Sequence, residues 1–143
     1  MDEEREYLIS QLIDECRNIS LSAEFRNHIV DVLSSPNFPI DQLLILAESD
    51  ISFFAPEPNI LAQEFELNRA IGRIVYLSPT LLEMPSDIKA VIAHELAHVV
   101  LGRREESSST VDVSAAARHD EKEADDLAES WGFRVPESYR NRL

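Results

Sequence analysis

The sequence predicts an α+β fold in which N-terminal helices precede a small mixed β-sheet and two further helices follow it. Three observations carry that expectation. Apolar residues recur at helical spacing through the first fifty positions, β-branched and aromatic runs bounded by prolines come next, and two helical patterns fill the remainder. A chain of 143 residues can bury a real core, and one domain over 1–143 is the natural expectation.

Residues 1–50 form the helical part. From Glu3 to about Ile19, Tyr7, Leu8, Leu12, Ile13, Cys16 and Ile19 share helical spacing. A second helix starts at Ser20 or Ser22 and runs to Leu33, with Phe25, Ile29, Val32 and Leu33 facing inward. Ser34-Ser35-Pro36-Asn37-Phe38-Pro39 breaks the pattern, and Asp41 to Glu48 reads as a short third helix.

Residues 51–79 hold the sheet. Ile51-Ser52-Phe53-Phe54-Ala55 is a strand stopped by Pro56 and Pro58, Ile60 to Leu67 is ambiguous between strand and helix, and Ile71 to Ser78 is the clearest strand, ended by Pro79. A helix then spans 86–102, with Ser86 as N-cap and Gly102 as stop. Residues 103–117 are a polar, serine-rich loop, 118–132 a second helix stopped by Gly132, and 133–143 a tail. The tail either docks on the body or lies in a cleft and keeps the protein latent, and docking is the favoured reading.

The most informative segment is His94-Glu95-Leu96-Ala97-His98, an HExxH motif. Residues four apart on a helix lie one above the other, so both imidazoles project from one face and can share a tetrahedral zinc ion. Glu95 is turned by roughly 100° from that face, beside the open coordination position, where its carboxylate can take a proton from metal-bound water. The plain alternative is an amphipathic helix with solvated histidines. Ile88, Val91, Ile92, Ala93, Leu96, Ala97, Val99, Val100 and Leu101 argue against it, because a helix apolar all round is buried, and buried polar groups need partners.

A catalytic zinc ion usually takes three protein ligands. On the downstream helix, Ala117, Ala124, Leu127, Ala128 and Trp131 make one apolar stripe. Glu121 lies at its edge, with Asp125 one turn further on and Glu123 directed toward solvent. The small alanines permit close approach to the HExxH helix. Glu121 is therefore the expected third ligand, and Asp125 is placed to accept a hydrogen bond from the other ring nitrogen of a ligand histidine, His94 in the first instance.

His94–His98 followed by Glu121-Lys122-Glu123-Ala124-Asp125 resembles the gluzincin signature, HExxH with a downstream ExxAD. The chain is similar to small intracellular zinc metallopeptidases of that type over roughly Arg73 to Trp131, within the zincin superfamily. The resemblance implies a zincin-like fold, one zinc ion held by His94, His98 and Glu121, Glu95 as general base, and Asp125 behind a histidine ligand. The third histidine of the metzincin pattern is absent after Leu101-Gly102.

The implied activity is hydrolysis of peptide bonds by a zinc-bound water that Glu95 activates. A second electrophile for the oxyanion would come from Arg118, His119 or Tyr76, each of which has a plain structural role as its alternative. A different class of function is a metal-binding regulatory or interaction module with little or no turnover.

Composition narrows the partners. A formal charge of −14 disfavours nucleic acid and anionic membrane surfaces, which select basic patches, and is compatible with peptide or protein substrates. No apolar run reaches transmembrane length, the acidic start lacks the pattern of a signal peptide, and Cys16 is the only cysteine. These features point to a cytoplasmic protein.

Overall fold

A computed structural model describes residues 2–14, 20–49, 51–55, 73–84, 86–102 and 113–134; for 20, 73, 74, 76, 79 and 113–120 the description is of the backbone alone. The described chain is mostly helical, with five α-helices.

Helix α1 (Glu3–Leu12) starts at Asp2, whose side chain accepts from the Glu4 amide, and Glu3, Glu4 and Glu6 face the positive end of the helix dipole. The helix stops at Leu12 with Ile13 as C-cap, short of the expected Ile19, and residues 15–19 lie outside the description. Strand β1 is Ser20–Leu21. Ser22 ends it, its amide donating to the Ala55 carbonyl, and also begins α2 (Ala23–Leu33), where its Oγ accepts from the Phe25 amide at 3.3 Å. Of the two helix starts weighed from sequence, Ser22 is the one found, and Ser20 belongs to a strand.

Helix α3 (Ile40–Glu48) follows the proline-flanked turn. Arg5 of α1 reaches that turn: its guanidinium donates to the Leu33 carbonyl at 3.0 Å and the Phe38 carbonyl at 2.7 Å, satisfying the last carbonyl of α2.

Strand β2 (Ile51–Ala55) lies between β1 and β3 (Arg73–Tyr76). Both ladders are parallel, pairing Ser20 with Phe54 and Ile51 through Phe54 with Arg73 through Tyr76. The mixed sheet expected from sequence is thus all-parallel among the described residues. Parallel pairing requires a crossover, and α2 with α3 supplies the one from β1 to β2. Every residue of β2 is buried, as a central strand covered on both faces must be. The ambiguous stretch Ile60–Leu67 lies outside the described residues.

Strand β3 ends at Tyr76, two residues short of the expected Ser78, and Pro79 opens a 3-10 turn, Pro79–Glu83, which leads into helix α4 (Ile88–Val100). The N-cap position is Asp87, without a side-chain hydrogen bond, rather than Ser86. The entry is closed instead by the backbone, Asp87 and Ile88 amides donating to the Met84 carbonyl. Gly102 stops α4 in the left-handed region, at φ 69°.

Helix α5 (Val113–Ser130) begins five positions before the expected 118, because Ser114-Ala115-Ala116-Ala117 extends the pattern with the strongest helix former. It ends in a Schellman motif, the Phe133 amide donating to the Ala128 carbonyl and Gly132 at φ 101° donating to Glu129. The tail beyond Arg134 lies outside the description.

One buried apolar cluster draws on all five helices and on β2 and β3, with Leu21 of β1 packed against it. Helix α4 is at its centre, contacting α2, α3 and α5. No helix among the described residues is long and apolar enough to cross a membrane.

Candidate metal centre

Helix α4 is buried on almost every side. Ile88, Ala90, Val91, Ile92, Ala93, Leu96, Ala97 and Val99 are in the core, and His94 and His98 are buried with them at 2% and 9% exposure. Only Lys89, Glu95 and Val100 are partly exposed along its length. Two imidazoles in such a place must be satisfied by something other than water.

Helix α5 supplies the facing groups. Ala124 and Ala128 are fully buried, and Asp125 and Glu121 lie beside them, 5% exposed and partly buried respectively. Two pairs at helical (i, i+4) spacing therefore confront each other across the α4–α5 contact.

The distances between them are short. His94 Nδ1 lies 2.7 Å from Asp125 Oδ1. On the other side of the same ring, Nε2 lies 2.6 Å from Glu121 Oε2 and 3.2 Å from His98 Nε2. His98 Nε2 is in turn 3.1 Å from Glu121 Oε1. The imidazoles meet nearly at right angles, at 88° with centroids 4.8 Å apart, so their Nε2 atoms converge rather than stack.

Proton placement shows what the cluster fits. A carboxylate accepts only, so Nδ1 of His94 donates to Asp125, and a ring carrying that one proton keeps a lone pair on Nε2. That lone pair faces Glu121 Oε2, a buried oxygen that finds no hydrogen-bond partner despite the 2.6 Å approach. For that ring the 2.6 Å approach sets two acceptors against each other, which either a proton on Nε2 or a metal ion held by both relieves. Donor atoms of His94, His98 and Glu121 all lie within 4.8 Å of one another, and the group is able to hold a metal ion. Ligand atoms around a tetrahedral zinc ion would be separated by about 3.3 Å, given bonds of about 2.0–2.1 Å. The contacts of 3.1 and 3.2 Å are close to that figure, and the 2.6 Å approach of the other Glu121 oxygen is shorter than it. The residues present fit the ion.

No family model, curated protein or solved structure matches the chain significantly.

The site thus stands on its own geometry. The structure brings together His94, His98, Glu121 and Asp125, and it places Glu95 next to His94 on α4, partly buried and with an interaction of its own. His28, on α2, is not part of the group, although its Nδ1 is buried without a hydrogen-bond partner. Glu123, expected toward solvent, is partly buried and has a partner, whereas Lys122 and Asp126 are exposed. Arg118 and His119 fall within α5 and Tyr76 within β3, but their side chains lie outside the description.

Sequence reasoning missed what fixes the end of α5. Trp131 is fully buried; its Nε1 donates to Gln42 Oε1 at 2.7 Å, its ring stacks on Phe38 with centroids 4.1 Å apart, and its carbonyl accepts from Ser35 Oγ at 2.8 Å. Its place on the apolar stripe was readable from sequence. Its partners, more than eighty positions away, were not.

Proposed function

We propose that this protein is a zinc-dependent peptidase of the gluzincin type, with a zincin-like architecture, acting on peptide or protein substrates in the cytoplasm. The observation that carries the reading is the convergence of His94, His98 and Glu121 with Asp125 behind His94. Three protein donors are the pattern of catalytic zinc sites, whereas structural sites are closed by four. Two imidazoles and one carboxylate suit zinc among the common divalent ions.

When bound, zinc supplies Lewis-acid chemistry, polarising a carbonyl and acidifying water. The chain's own residues do the rest. Asp125 holds the His94 ring in one tautomer and one orientation, so that Nε2 faces the centre. Glu121 offsets ionic charge with a carboxylate brought from a second helix. Glu95 stands beside a ligand position on α4, where it accepts the proton released as water attacks a peptide carbonyl and returns it to the departing amine. The apolar shell of α4 keeps bulk water from the far side of the ligand set, which strengthens each of these interactions.

The deciding experiment joins two measurements. Elemental analysis of the native chain should give about one zinc ion per protein. A mixed peptide library should then be cleaved by the native protein and spared by Glu95→Gln, which keeps all three metal donors. Zinc without turnover would favour the regulatory or interaction module, and absence of both would reject the site.

A further inference from the structure

The two helices that carry the metal donors pack on each other, and small residues are among those that each of them buries. Ala124 and Ala128 are fully buried on α5, and Ala93 and Ala97 on α4. Such a contact permits close approach, but it offers few protruding atoms to fix how one helix slides or rotates against the other. Metal donors tolerate little of either, since a productive site has to be held within about 0.5 Å. The donor contacts themselves link α5 to α4, and a second anchor further along α5 would hold its register.

Trp131 is the large side chain at the end of the same stripe. Glu121, Ala124, Ala128 and Trp131 follow one another at spacings of three and four, so a rotation of α5 that moves Trp131 also moves Glu121. Trp131 is held from three directions by the α2–α3 turn and the start of α3: Phe38 on its ring face, Gln42 on Nε1, and Ser35 on its backbone carbonyl. Indole nitrogen only donates, so the Gln42 side chain has to present its oxygen, and the contact has one polarity and one geometry.

We infer that Gln42 and Trp131 are positioning residues for the metal centre, setting the register of α5 on α4 from about 15 Å away along the helix axis. They touch no ligand. Their effect on Glu121 and Asp125 passes through the rigid body of α5. The inference rests on the metal reading for its consequence, but not for its geometry.

The test uses Gln42→Leu, which removes the acceptor at similar size, Trp131→Phe, which removes the donor and keeps a stacking ring, and Gln42→Glu, which retains an acceptor oxygen. Ile9→Val, at a buried position of α1, a helix packed on α3, serves as a destabilised control away from α5. Two properties are read in folded protein. One is zinc affinity by competition with a chromophoric chelator. The other is the NMR signal of the His94 Nδ1 proton in metal-free protein, sheltered from exchange by Asp125.

Gln42→Leu and Trp131→Phe should weaken zinc binding about tenfold or more and broaden the His94 signal, with Gln42→Glu and Ile9→Val close to native. A native affinity and a native His94 signal in both folded variants would overturn the inference. If the native chain binds no zinc but the signal is still lost in Gln42→Leu and Trp131→Phe, the positioning role stands and the metal reading alone fails.

Discussion

Asp125 Oδ1 stands 2.7 Å from His94 Nδ1, and this one contact decides which nitrogen of His94 faces Glu121. Both residues are buried, so water cannot take the place of either partner. Removing the carboxylate frees the ring to rotate and to change tautomer. Asp125→Ala should lower zinc affinity by about 10–100-fold, measured by chelator competition. Asp125→Asn keeps one acceptor oxygen and should lose less.

Glu121 behaves differently, because its Oε2 is buried without a hydrogen-bond partner, 2.6 Å from His94 Nε2. Glu121→Gln replaces one oxygen with a donor. The metal-free variant should melt at or above the native temperature in calorimetry, while the rise on adding zinc disappears. For the native protein that rise corresponds to about 4 kcal/mol at a thousandfold excess over Kd. A metal-free variant melting well below the metal-free native protein would contradict this account of the site.

Ala124 is fully buried, one position before Asp125. Ala124→Leu adds a branched chain where α5 is packed against the core. The expected destabilisation is about 1–3 kcal/mol by urea unfolding, accompanied by loss of zinc, because the donors of the two helices can no longer meet. Ala124→Gly should leave the donors in reach and cost about 1 kcal/mol through helix propensity.

Phe53, at 0% exposure in the central strand, serves as a test of the core without the site. Phe53→Ala should cost about 3–5 kcal/mol of global stability. Zinc affinity in the fraction that remains folded should be unchanged, which would separate the sheet's role as support from the helices' role as ligand carriers.

The site was legible from sequence to the extent that its geometry is local. His94 and His98, and likewise Glu121 and Asp125, need only one helical turn to share a face, and the alanine stripe marks the side of α5 that is buried. The rest depended on distant pairing. Ser20 and Leu21 are too few to show alternation, and become a strand only because Phe54 and Ala55 accept them. Whether Ile51–Ala55 pairs parallel or antiparallel is set by a neighbour at the far end of a crossover, which leaves no mark on its own five residues. Helix boundaries moved for local reasons that a period cannot report: three alanines lengthened α5, and a 3-10 turn shifted the start of α4. Gln42 gave no signal at all, since its meaning depends on an indole 89 positions later.

Phe38 has a mechanical consequence. Its carbonyl is held by Arg5 of the first helix, and its ring lies against Trp131 at the end of the last. A tension applied between residues 2 and 134 would load that short turn, through a hydrogen bond and a stacked ring pair, alongside the packing of α5 on α4. Parting that turn would free the first helix from the end of the last, and leave the helix bearing both histidines still packed against α5.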